Sequence, residues 1–176
     1  MLVVVAPFLI CCVVLALAGL AKLRDPRFTA GALRSLGVPA GPATVRAIGA
    51  GELLLAVVAG ASGWWLAAWL VAFSYVVFAA IVLAARHAGT AIQTCGCFGV
   101  PDVPPTRTHI ALNVVLGAVA AIAGAIDVVS PISLLADEPA GAIVLLALAG
   151  LGGWLAQAVF RDLAIVDGVI ATARAR

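Results

Sequence analysis

The sequence predicts an all-α, polytopic membrane protein of about five transmembrane helices, and three observations predict it. The chain is 65% hydrophobic and only 10% charged, with a mean hydropathy of +1.23. A soluble domain is about 45–50% apolar and about 25% charged. Five apolar runs approach the ~20 residues that a spanning helix needs: 2–21, 43–62, 64–85, 109–129 and 139–160. With five spans, all ten Lys and Arg fall on one side of the membrane. Residues 1–176 thus read as a single integral membrane domain. The net charge of +2 and the lack of a basic cluster interleaved with aromatics argue against a nucleic-acid partner. Membrane lipid is the expected surrounding.

The first run, 2–21, has no Lys or Arg before or within it, and its cations Lys22, Arg24 and Arg27 follow it. A cleaved signal peptide carries its positive charge ahead of the apolar core. This order suits a retained helix with its N-terminus outside. Cys11 and Cys12 are adjacent near its middle. Neighbours on a helix point about 100° apart at about 3.6 residues per turn, so the two thiols do not pair while helical. They read as packing residues, or as a relay for a redox loop.

The second run, 43–62, carries one carboxylate, Glu52, roughly 13 Å along the helix at about 1.5 Å per residue. A carboxylate at that depth is either protonated or paired. Glu52 is a candidate proton acceptor or quinone-binding group, or the partner in a structural hydrogen bond with Asn113 or a carbonyl. Gly60–Gly63 makes a tight hairpin to the third run, 64–85, which Trp64 and Trp65 open at the interface where tryptophan is enriched. The fourth run, 109–129, starts after Thr106 or Thr108, either of which can cap it. Asn113 lies one turn in. Gly49, Ala50, Gly117, Ala121 and Gly124 are small residues that let helices approach closely. SLLADEP, 133–139, reads as an outer loop before the fifth run, 139–160. Cytoplasmic loops carry the excess of Lys and Arg, so the C-terminus is expected in the cytoplasm and the protein in the inner (cytoplasmic) membrane.

The connection 86–108 departs from the rest of the chain. QTCGCFGVPDVPP places Cys95 and Cys97 one residue apart among glycines and prolines. Glycine permits unusual backbone angles, and proline stiffens the path and forbids helix. A thiolate is stabilised by a helix N-terminus or neighbouring cations. Arg107 and His109 follow, at the start of the fourth run. Two sulfurs separated by Gly96 would close a small strained ring, and strained disulfides are the labile or catalytic ones. Cys95 and Cys97 are therefore the candidate catalytic pair, with Glu52, Asn113, Arg107 and His109 in support. Two other readings stand beside this one. The cysteines are inert buried hydrophobes, or they bind a soft metal together with His87 and His109.

CGCFG, residues 95–99, resembles the signature of the MauE family of methylamine-utilisation membrane proteins, within the DoxX-like group. AGLAKLRDP, 18–26, and GAGELLLAV, 49–57, are also similar to such sequences. The resemblance implies a polytopic bundle on a DoxX-like four-helix core. It also implies thiol–disulfide chemistry at Cys95 and Cys97 beside a thioredoxin-like partner. No covalently bound cofactor is expected, and a quinone is the candidate electron acceptor. The competing functions are metal handling and passive anchoring of a redox partner.

Overall fold

The computed structural model describes residues 2–87, 106–126, 128 and 130–174. Every element among the described residues is a helix: α1 Leu2–Arg24, α2 Arg27–Ser35, α3 Pro42–Ser62, α4 Trp65–His87, α5 Arg107–Ala125, α6 Pro131–Asp137 and α7 Pro139–Arg174. Five of them, α1, α3, α4, α5 and α7, are long and apolar enough to cross a membrane.

The spans form an inverted globule. Phe73, Val76, Leu54, Val114, Leu148 and Trp154 are exposed, as lipid-facing side chains must be, since the bilayer offers no penalty for apolar surface. The centre is built from Phe8, Val14 and Leu15 of α1, Val71, Tyr75 and Phe78 of α4, and alanines of α3, α4 and α5. Helices α1, α3, α4 and α5 thus make a four-helix core, with α7 packed along α1. Half of the α1 span is buried, more than in any other spanning helix among the described residues.

Close helix approach explains the small residues. A Cβ added to Gly19 would lie 2.6 Å from the Gly49 carbonyl oxygen, and one added to Gly49 would lie 2.7 Å from the Gly19 carbonyl oxygen. The two glycines therefore form the α1–α3 crossing backbone against backbone. Gly117 sits on Tyr75, and Gly124 sits on the Trp69 ring. Of the small residues expected to pack, Ala50 instead faces outward. The α3–α4 hairpin turns at Gly63, whose φ of 63° is left-handed, a conformation that glycine adopts without strain. Val128 and Ser130 pack against this turn, and Ser130 Oγ donates to the Ala61 carbonyl at 2.8 Å.

Several boundaries differ from those read in the sequence. The first helix runs to Arg24, and the fourth span ends at Ala125 with Ile126 as its C-cap. SLLADEP is not a loop: its first residues complete α6, which begins at Pro131. Between the first two spans, where the hydropathy pattern predicts only a connection, lies the nine-residue helix α2. Asp25 accepts from the Arg27 backbone N–H at 3.2 Å and from its guanidinium at 3.0 and 3.1 Å, which ties down the start of α2. Those bonds hold the Asp25 carboxyl below its ordinary pKa. Ala30 of α2 packs with Ala40, Val45 and Leu33 in a small second core.

Candidate functional site

The bundle has a basic end, where α1 stops, α3 starts, α4 stops and α5 starts. At this end Lys22 turns inward instead of joining the connecting segment. Its Nζ donates to Glu52 Oε2 at 2.7 Å and lies 4.8 Å from the centroid of the Phe78 ring. Both charged residues are buried, Lys22 3% and Glu52 8% exposed. The geometry follows from the glycine crossing. Helices α1 and α3 run antiparallel, so across the glycine contact the Lys22 Cβ lies over Gly49 and the Glu52 Cβ over Gly19, and the two side chains meet from opposite sides of the crossing. The partner of Glu52 is therefore Lys22, not Asn113 as the sequence reading offered. Desolvating two ions together is tolerable only when they are paired at close range.

AGLAKLRDP and GAGELLLAV are thus the two faces of one contact. Gly19 and Lys22 come from the first, Gly49 and Glu52 from the second. The signal available was a Gly-x-x-Lys in one span and a Gly-x-x-Glu in the next, oppositely charged and close to apolar runs.

A cleft of about 380 Å³ opens beside the ion pair, between α2, α3 and α4. Lys22 and Glu52 line it with Phe78, Phe73, Ser74 and Leu33. A second cleft, of about 340 Å³, lies nearer the hairpin end and is lined by Cys12, Leu9, Gly60, Pro131 and Leu146 among others.

At the N-terminus of α5, Thr106 and His109 cap each other. The Thr106 hydroxyl accepts from the His109 backbone N–H at 3.4 Å, while the Thr106 backbone N–H donates to His109 Nδ1 at 3.4 Å. His109 Nδ1 also lies 2.9 Å from the Thr106 hydroxyl oxygen. The ring packs against Phe160 of α7 at a centroid separation of 5.7 Å. Asn113, also buried, donates through Nδ2 to the His109 carbonyl at 2.7 Å. Arg107 is exposed at the first position of the helix. Of the two histidines offered as metal ligands, His109 therefore uses Nδ1 in the cap. His87 is exposed, with its Nδ1 2.9 Å from the Leu83 carbonyl.

Cys11 and Cys12 are buried free thiols that point to different neighbours, as their adjacency on a helix requires. Cys11 Sγ donates to the Leu116 carbonyl of α5 at 3.4 Å, and the Cys11 carbonyl accepts from the Tyr75 hydroxyl at 2.6 Å. Cys12 faces Gly60 of α3. Cys95 and Cys97, the expected catalytic pair, lie outside the described residues. The supporting residues thus separate into two groups: Glu52 with Lys22, and Arg107, His109 and Asn113 at the start of α5.

Fold and site define a multi-pass helical membrane protein whose first two spans are joined by a buried ion pair. Residues 1–126 match the model of the family described as methylamine utilisation protein MauE, and the chain belongs to that family. No curated protein and no solved structure matches it.

Proposed function

We propose that this protein is a membrane thiol–disulfide redox protein that exchanges electrons through Cys95 and Cys97 with a thioredoxin-like partner, with a quinone as the candidate membrane acceptor. The observation that carries the proposal is the Cys-Gly-Cys sequence itself, in the connection between α4 and α5 of a chain in the MauE family. In the sequence it precedes the capped N-terminus of α5, and helix N-termini favour thiolates. In the exchange, a thiolate of the pair attacks the partner's disulfide and forms a mixed disulfide. The second thiolate then displaces the partner as a dithiol. Two electrons move to the partner, and a Cys95–Cys97 disulfide remains. Run in reverse, the partner's dithiol reduces that disulfide, and the restored Cys95–Cys97 dithiol is the form that gives its two electrons to the quinone.

The excess of Lys and Arg at the basic end supports a cytoplasmic Cys connection, an outside N-terminus and residence in the inner membrane. Cytosolic thiols are kept reduced, so a pair on that side receives electrons and passes them on. Alkylation trapping tests the function. Cells are quenched in acid, and the state of Cys95 and Cys97 is read by mass shift. A pair that shifts between dithiol and disulfide with the cell's redox state supports the proposal, and a pair locked in one state contradicts it.

A further inference from the structure

We infer that the cleft over Lys22 and Glu52 is a binding site for a neutral, lipid-soluble carbonyl compound of the quinone class. Its mouth carries Phe73, Ile48, Val38 and Val77, all exposed apolar side chains, so a ligand enters from the lipid and must partition there. The volume of about 380 Å³ is at the lower end of the ~300–1,000 Å³ range of small-molecule pockets. That accommodates a substituted ring and the start of a tail, and it is small for a two-chain lipid.

The floor selects the head group. An ammonium offers three donors and a carboxylate only acceptors. Lys22 therefore suits a ring carbonyl, and Glu52 suits the hydroxyl that replaces it on reduction. Because the two charges neutralise each other at 2.7 Å, the site has no net charge to attract a phosphate. An anionic head group would have to displace Glu52 from Lys22 inside a buried site. Phe78, already against the Lys22 ammonium, supplies a flat wall for a ring. Ser74 lies on the lining at the same level, its hydroxyl donating to the Leu70 carbonyl at 3.0 Å.

The use of the bound molecule as electron acceptor rests on the proposed thiol chemistry, although its binding does not. In that use the Cys95–Cys97 dithiol loses two electrons and two protons, two S–H bonds break and one S–S bond forms. The quinone gains the same electrons and protons and becomes the quinol.

The test is photoaffinity labelling of the full-length protein in vesicles with an azido derivative of decylubiquinone, mapped by mass spectrometry. The expected result is saturable labelling within α2 and the Phe73–Ile81 stretch of α4, displaced by excess decylubiquinone. Labelling should fall at least tenfold in Ser74→Phe, which fills the cleft and leaves the ion pair in place. Labelling spread evenly over the lipid face, labelling unchanged in Ser74→Phe, or displacement by phosphatidylglycerol would each overturn the site. The measurement is repeated in the Cys95→Ser/Cys97→Ser protein. Retained labelling there supports a site independent of the thiols, so failure of the redox proposal and failure of the cleft are told apart. Labelling lost with the cysteines overturns the assignment to Lys22 and Glu52.

Discussion

Replacing Lys22 by methionine removes one half of a buried ion pair and leaves the other half where water cannot reach it. Glu52 is 8% exposed, and its bond to Lys22 Nζ is 2.7 Å long. Breaking a buried pair from one side costs about 3–5 kcal/mol, because the remaining charge is uncompensated. Loss of the ammonium from the Phe78 face adds about 0.5–2 kcal/mol. Replacing both partners by apolar residues of similar volume is often neutral or stabilising. Lys22→Met and Glu52→Met should therefore each destabilise by about 3 kcal/mol or more, while the double variant stays close to the parent. The assay is reversible unfolding in mixed micelles of rising SDS fraction, followed by far-UV circular dichroism and analysed as a double-mutant cycle. Two single variants that each cost under about 1 kcal/mol and add without coupling would refute the claim that this pair joins α1 to α3.

Four further variants test the packing. Gly19→Ala should destabilise by about 1–3 kcal/mol, since its Cβ would meet the Gly49 carbonyl at 2.6 Å. Gly51→Ala, which meets nothing within 4 Å, should be neutral or stabilising in the same micelle titration. Tyr75→Phe should cost about 1 kcal/mol by losing its bond to the Cys11 carbonyl, read from the same unfolding curves. Thr106→Ala should cost about 1 kcal/mol as a lost N-cap, and hydrogen exchange should speed up selectively in the first turn of α5.

The spans were legible because lipid imposes a length. A run of about twenty apolar residues has few other uses, and the cation distribution parsed the connections between runs. Gly63, Gly49, Gly117 and Gly124 could be named in advance because each serves a local need: a left-handed turn or a close approach. The shorter elements escaped for the converse reason. Helix α2 has nine residues, among them Gly31, and alternates Arg27 and Arg34 with small apolar positions, so neither length nor hydropathy marks it. The ion pair escaped because counting charges along the chain assigns Lys22 to a loop. Only the pairing of α1 with α3 turns it inward, and pairing among uniformly apolar helices is not written in periodicity. Asn113 was a reasonable partner for Glu52 by depth, yet its own preceding turn, through the His109 carbonyl, takes its amide. The adjacency of Cys11 and Cys12 gave their divergent directions correctly, because helix geometry alone decides that.

The central claim is that Cys95 and Cys97 exchange electrons with a partner, and trapping the intermediate tests it most directly. With Cys97→Ser the attack can occur and the resolution cannot, so a mixed disulfide through Cys95 should accumulate, or through Cys97 in the reciprocal Cys95→Ser chain. The account predicts a reducible adduct with a thioredoxin-like protein in one of the two variants and none in the double variant. Absence of an adduct from both single variants, with function intact in each, would contradict it.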